Sequence, residues 1–174
     1  MTESETLTNI LDKSTYGSPR PNIYSRYKLL EQIGSGGYGA VFKTHHLSSN
    51  TLMAMKLLRR DPTKGDNENA YREMWNVTKT GQHANIAIFY DYVSYSDTHN
   101  AMFMELFDTD LWDFIKNTFN RKDALMIDVA LQAILGLAHL HSRKLPMIHR
   151  DIKPQNILIK INRKTNAVVA KSWA

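Results

Sequence analysis

His149-Arg150-Asp151-Ile152-Lys153-Pro154-Gln155-Asn156 is the stretch on which the reading of this chain turns. Proline at 154 keeps it from being the interior of a helix. Before it lies a long apolar stretch of helical character, 122–142. After it comes a β-branched run, Ile157–Ile161. Taken alone, an ordinary charged loop between a helix and a strand has this composition. Its company upstream separates it from one: a glycine turn and a lysine on an apolar strand.

The glycine turn is Gly34-Ser35-Gly36-Gly37-Tyr38-Gly39. Glycines at the G-x-G-x-x-G positions let backbone approach phosphate oxygens, because no Cβ blocks the path and positive φ is allowed. The motif alone is weak, since glycine turns often only connect strands. In a dinucleotide fold its last Gly opens a helix and a charged residue follows the next strand, a role for which Asp61, with Arg59 and Arg60, is available. Here Gly39-Ala40-Val41-Phe42-Lys43 continues with β-branched and aromatic residues, which favours a strand. Met53-Ala54-Met55-Lys56 then places a lysine on the strand after that.

Lys56 sits in an apolar run, where an unpaired ammonium is costly. A lysine snorkelling from an edge strand is the plain explanation. A functional lysine needs a carboxylate on the next helix. Asn69–Thr80 suits that helix, with Ala70, Met74 and Val77 near helical spacing, and Glu73 is placed for the pairing, with Glu68 as fallback.

Around these motifs, residues 1–23 read as a tail with Pro19 and Pro21 as breakers. Strands are expected at Tyr27–Ile33, Ala40–His46, Leu52–Leu58, Ile86–Tyr92, Ala101–Leu106, Ile157–Ile161 and Ala167–Lys171. Helices are expected at Leu111–Thr118 and Lys122–Ser142. The class is α+β, β-rich in the first half and helical in the second.

Taken together, the glycine turn, Met53–Lys56 and His149–Asn156 resemble the protein kinase family, over about residues 24 to 171. The resemblance implies a kinase-like N-lobe at 24–106 and a partial C-lobe at 107–174. Asp151 would accept the substrate hydroxyl's proton and Asn156 would hold a magnesium ion. Lys56 would clamp ATP phosphates, Glu73 would orient Lys56, and Lys153 looks like the serine/threonine branch. His83-Ala84-Asn85-Ile86 is similar to the family's H-P-N-I turn. Met102–Phe107 is similar to its hinge, with Met104 as gatekeeper and the backbone of Glu105 and Phe107 on adenine. The same match puts Asp110 at the ribose, Ile33, Gly34, Gly36 and Gly39 over the phosphates, and Val41, Ala54 and Leu158 about the adenine ring. The implied cofactors are ATP and Mg²⁺.

The family continues with D-F-G, whose Asp chelates magnesium. Lys171-Ser172-Trp173 can be set over it, or Lys171 can be the last matching strand residue; neither leaves an Asp. The expectation is therefore a chain that lacks D-F-G and the substrate lobe, with no detectable phosphotransfer of its own. The alternative is a nucleotide- or protein-binding module without kinase activity. An apolar helix face of Leu131, Ile134, Leu135, Ala138 and Leu140 would want a partner and could make the chain a chaperone client.

Composition agrees with a folded protein. The 174 residues are 43% hydrophobic and 22% charged, with 22 Lys plus Arg against 17 Asp plus Glu, a net charge of +5. The basic residues are scattered, so no nucleic-acid partner is expected. Without cysteine there is no disulfide scaffold and no thiolate site. No secretory signal or myristoylation pattern opens the chain, and Ala124–Leu140 reads as too short and too polar for a bilayer. The expected setting is intracellular, cytoplasmic and away from membranes. The seven histidines show no zinc spacing.

Overall fold

A computed structural model describes residues 21–36, 39–59, 83–117, 123–143, 146, 149 and 151–172. They fall into two compact units. The first holds residues 21–59 and 89–106, the second residues 83–88 and 107–172.

The first unit is a five-stranded antiparallel sheet. Its strands are β1 (Tyr27–Gly36), β2 (Gly39–His46), β3 (Thr51–Arg59), β4 (Phe89–Ser94) and β5 (His99–Glu105). Their spatial order is β1-β2-β3-β5-β4. Strict alternation decides which side is dry. Phe42 pairs with Met55 and Met55 with Phe103, so these three share one face, and all are fully buried. Tyr27, Leu29, Leu57 and Ala101 complete that core, with the Tyr27 ring stacked on Phe103 at 3.8 Å. The Tyr27 hydroxyl donates to Asp91 Oδ2 at 2.8 Å, and burial together with that carboxylate pushes its pKa well above the ordinary tyrosine range.

Before β1 comes α1 (Pro21–Tyr24), a single helical turn with proline at its first position. The expected tail reached too far here, because Ile23 is buried in the sheet's core. Ile86–Tyr92 also splits: Ile86 lies in an isolated bridge with Ser172, and β4 begins only at Phe89.

The second unit has a three-stranded antiparallel sheet of β6 (Thr109–Asp110), β7 (Ile157–Ile161) and β8 (Val168–Ser172), in that order. Its helices are α2 (Leu111–Lys116) and α3 (Asp123–His141), with a 3₁₀ turn at Pro154–Asn156. Phe114, Val129, Ile159, Val168 and Ala170 form the core. The β6 pairing has no sequence signal, since two residues are too few to show alternation.

The long helix departs from its expected face. Leu140 is fully buried, but Leu131, Ile134, Leu135 and Ala138 are exposed; Val129, Ala133 and Gly136 provide the rest of the packed stripe. Gly136 is required there, because a Cβ would meet the Asn85 carbonyl oxygen at 2.5 Å. By length and composition α3 could also cross a membrane, with 19 residues and a mean hydropathy of 1.5 over its most apolar window, which corrects the expectation drawn from sequence. Its inner stripe packs on β8.

Candidate functional site

In the first unit the strand register collects most of the expected nucleotide residues on one face. Gly34 pairs with Val41, Val41 with Lys56, Lys56 with Met102, and Ala54 with Met104. Paired residues of an antiparallel ladder point the same way, so Gly34, Val41, Ala54, Lys56 and Met104 line the face opposite the Phe42–Phe103 core. Lys56 is half-buried there, and Ala54 and Met104 are nearly dry. Glu105 ends β5, buried and paired with Met53, while Ile33 is exposed beside a β1 irregularity.

The glycines differ in why they must be glycine. Gly39 has φ +125°, and a Cβ on it would stand 1.9 Å from the Leu57 carbonyl oxygen, so the close approach of β3 demands it. Gly34 is under no such demand: its nearest neighbour would be Val41 Cβ at 3.8 Å. Packing therefore explains Gly39 and leaves Gly34 to another requirement. Gly36 closes β1 opposite Gly39. Glu73, its fallback Glu68 and the expected helix Asn69–Thr80 lie outside the described residues.

The second unit holds the loop around Asp151. Its backbone N–H donates to the His149 carbonyl at 2.9 Å. Proline at 154 starts the 3₁₀ turn that carries Asn156 back over the loop, and the Asn156 N–H closes it on the Lys153 carbonyl at 2.9 Å. Asn156 Nδ2 donates to the Asp151 carbonyl at 2.7 Å and to Asp151 Oδ2 at 2.8 Å. Lys153 Nζ reaches the same Oδ2 at 2.8 Å. The hydrogen bond from Lys153, then that from Asn156, holds the Asp151 pKa below the ordinary carboxylate value. Asp151 is thus an exposed carboxylate, ionised at neutral pH and fixed by two neighbours. Arg150 lies outside the described residues.

Leu158, Asp110 and Phe107 belong to this unit too. Asp110 pairs with Leu158 across β6 and β7, and Leu158 pairs with Lys171 across β7 and β8. Asp110 has a structural duty besides: its Oδ1 caps α2 by accepting from the Asp113 N–H at 2.9 Å. Phe107 is half-buried next to Asp108, whose N–H donates to the Ile159 carbonyl at 3.0 Å.

One network escaped the sequence reading. Among the described residues no further strand flanks the outer edge of β8, yet the Ala170 N–H donates to Gln132 Oε1 at 2.8 Å and Gln132 Nε2 donates to the Val168 carbonyl at 3.1 Å. Asn85 Nδ2 donates to the Ala170 carbonyl at 2.9 Å and to Gln132 Oε1 at 3.2 Å. The Ser172 N–H donates to the Asn85 carbonyl at 2.9 Å. Two amide side chains so take the place of a neighbouring strand. The available signal was a lone Gln in an apolar helix. His83 stacks on His139 at 4.7 Å beside this network.

Among the described residues no group of three or more His, Asp or Glu side chains is arranged to hold a metal ion. The carboxylate that Asn156 meets is that of Asp151, and no Asp or Glu occurs from 152 to 172.

Comparison with known proteins gives a consistent picture. Residues 27–169 match the model of a family described as protein kinase domain. Misshapen-like kinase 1 of Rattus norvegicus is 32% identical over 157 residues, covering 82% of this chain and 11% of that protein. Cyclin-dependent kinase 2 of Caenorhabditis elegans is 31% identical over 153 residues, covering 85% of this chain and 40% of the relative. The chain thus spans well under half the length of either.

Proposed function

Because this chain belongs to the protein kinase domain family, we propose that it is the ATP-binding and hydroxyl-activating part of a serine/threonine protein kinase, one that passes the γ-phosphoryl group of ATP to a protein hydroxyl in an intracellular setting. The observation that carries this is the state of Asp151: ionised, exposed and held by Lys153 and Asn156. A carboxylate that must take a hydroxyl's proton has to be unprotonated and aimed, and these two neighbours supply both conditions. Lys153 in particular supports the serine/threonine branch. Lys56 and Gly34, on the non-core face of the first unit, are the residues assigned to the phosphates, with Val41, Ala54 and Met104 assigned to the base.

Calorimetric titration with ATP tests the nucleotide half. The wild-type chain should bind, and Lys56→Ala should weaken binding by about tenfold, the loss of about 1.4 kcal/mol of charge interaction. Equal titration of both would remove Lys56 from its role. In a transfer assay with a generic protein substrate the 174-residue chain should read at background, because β8 brings no carboxylate to Asn156. Transfer that is seen, and is lost on Asp151→Asn, would establish the base and overturn that expectation of inactivity.

A further inference from the structure

Residues 107–110 lead into α2 and hold the two positions that the family resemblance sets against the nucleoside, Phe107 for adenine and Asp110 for ribose. Their pairing is minimal: β6 is Thr109 opposite Ile159 and Asp110 opposite Leu158, two residues in all. So short a ladder holds a strand poorly by itself. Asp110 secures one end, because its Oδ1 accepts the Asp113 N–H at the start of α2.

The other end is secured by Asp108. Its backbone N–H donates to the Ile159 carbonyl at 3.0 Å, and its Oδ2 accepts the Ile161 N–H at 2.8 Å. A side-chain carboxylate thus supplies the rung that a third strand residue would otherwise provide. Ile161 is a firm anchor in turn. It pairs with Val168 at the end of β7, and just beyond it the Asn162 N–H donates to the Ala167 carbonyl at 2.8 Å. The plain alternative for Asp108 is a surface ion pair. Arg163 Nη2 does lie 3.9 Å from Asp108 Oδ1, but the Arg163 side chain is 89% exposed, and such a pair adds little. The short bond from a backbone N–H to a carboxylate oxygen is the stronger contact. A segment tied at both ends presents its backbone in one place before a ligand arrives, and a preorganised site binds more tightly than one ordered on binding.

We propose that Asp108 is a positioning residue for the nucleoside part of ATP: by tying the chain to Ile161 it fixes the Phe107 backbone, and Asp110 opposite Leu158. All of these residues belong to the second unit. The proposal rests on the nucleotide reading above. Asp108 itself contacts no ligand and takes part in no bond-making step; it acts through its neighbours.

The experiment is a calorimetric titration of the full chain with ATP in excess magnesium, well below the unfolding midpoint. It is run on wild type, Asp108→Ala, Asp108→Asn and Arg163→Ala, with each midpoint read alongside. Asp108→Ala should weaken ATP binding by about tenfold. Asp108→Asn keeps an oxygen acceptor for the Ile161 N–H and should stay within about twofold of wild type, as should Arg163→Ala. In wild type, ATP should slow deuterium exchange at the Ile161 amide, because coupling between the anchor and the ligand acts in both directions. A merely structural Asp108 would lower the midpoint on Asp108→Ala and leave both ATP affinity and the effect of ATP on Ile161 exchange as in wild type; that result overturns the proposal. Asp108→Asn binding as weakly as Asp108→Ala overturns it too, since the effect would then belong to the charge. Ile161 exchange unmoved by bound ATP overturns it even where Asp108→Ala does not fold. No ATP binding by wild type would overturn the nucleotide reading itself, and this proposal with it.

Discussion

Replacing Gln132 by Leu removes the amide that completes the outer edge of β8. The Ala170 N–H, on a fully buried residue, then loses the acceptor it meets at 2.8 Å, and the Val168 carbonyl loses its donor at 3.1 Å. An orphaned buried donor costs about 1–3 kcal/mol and a lost hydrogen bond about 0.5–1.5 kcal/mol, so the variant should be destabilised by about 2–4 kcal/mol. Asn85 Nδ2 keeps its bond to the Ala170 carbonyl, which spares the peptide group that follows Ala170. Against a total stability of about 5–15 kcal/mol this is a large share. Urea unfolding should show a lower midpoint at unchanged slope, and the Ala170 amide should exchange faster with solvent deuterium. Gln132→Glu retains an acceptor for Ala170 and loses the donor to Val168, so it should lie between wild type and Gln132→Leu. If Gln132→Leu leaves both the midpoint and Ala170 exchange unchanged, the side-chain network does not hold β8.

Further expectations concern the glycine turn, the histidine pair and the outer face of α3. Gly39→Ala should lower the thermal midpoint of the chain, since a strained φ costs about 1–3 kcal/mol before the clash with the Leu57 carbonyl is counted. Gly34→Ala should leave that midpoint in place and weaken ATP binding; a loss of stability instead would make Gly34 a packing residue. Burial, with the neighbouring His139 second, holds the His83 pKa below the ordinary histidine value, so the unfolded chain binds more protons and stability should fall as pH drops below about 6.5. Comparing urea midpoints at about pH 7.5 and about pH 5.5 checks this, and a drop that His83→Phe does not flatten would exclude His83 as its source. Ile134→Lys with Leu135→Lys should cut hydrophobic-dye binding without lowering the unfolding midpoint, because both side chains are more than half exposed; a lowered midpoint would show that this face is packed.

Much of the site was legible because its signals are local. The Asp151–Asn156 spacing, the proline that turns the chain between them, and the glycines before β2 are properties of a few consecutive residues. Val41, Ala54 and Lys56 were named through the family resemblance that these local motifs carry, and the register places them on one face. Illegible features depended on partners distant in sequence. Tail or core for Ile23 turns on Tyr27 and Phe103, and the buried stripe of α3 turns on where β8 lies. Helical spacing alone could not say that Leu131, Ile134 and Leu135 face outward while Gly136 and Ala133 face the sheet.

By itself, then, the sequence determined the family, the α+β class and the residue types able to handle phosphate and a hydroxyl proton, because glycine, lysine, aspartate and asparagine carry those capacities in their own covalent structure. Only the tertiary structure decided how those capacities are combined. Cross-strand register turned Lys171 toward Leu158 and buried Ser172. The fold also committed Asp110 to capping a helix and enlisted Gln132 and Asn85 as the missing edge of a sheet. The physical reason is that hydrogen bonds and charges act through space over a few ångströms, whatever the separation along the chain, and a side chain's partner is known only once the backbone has brought it there.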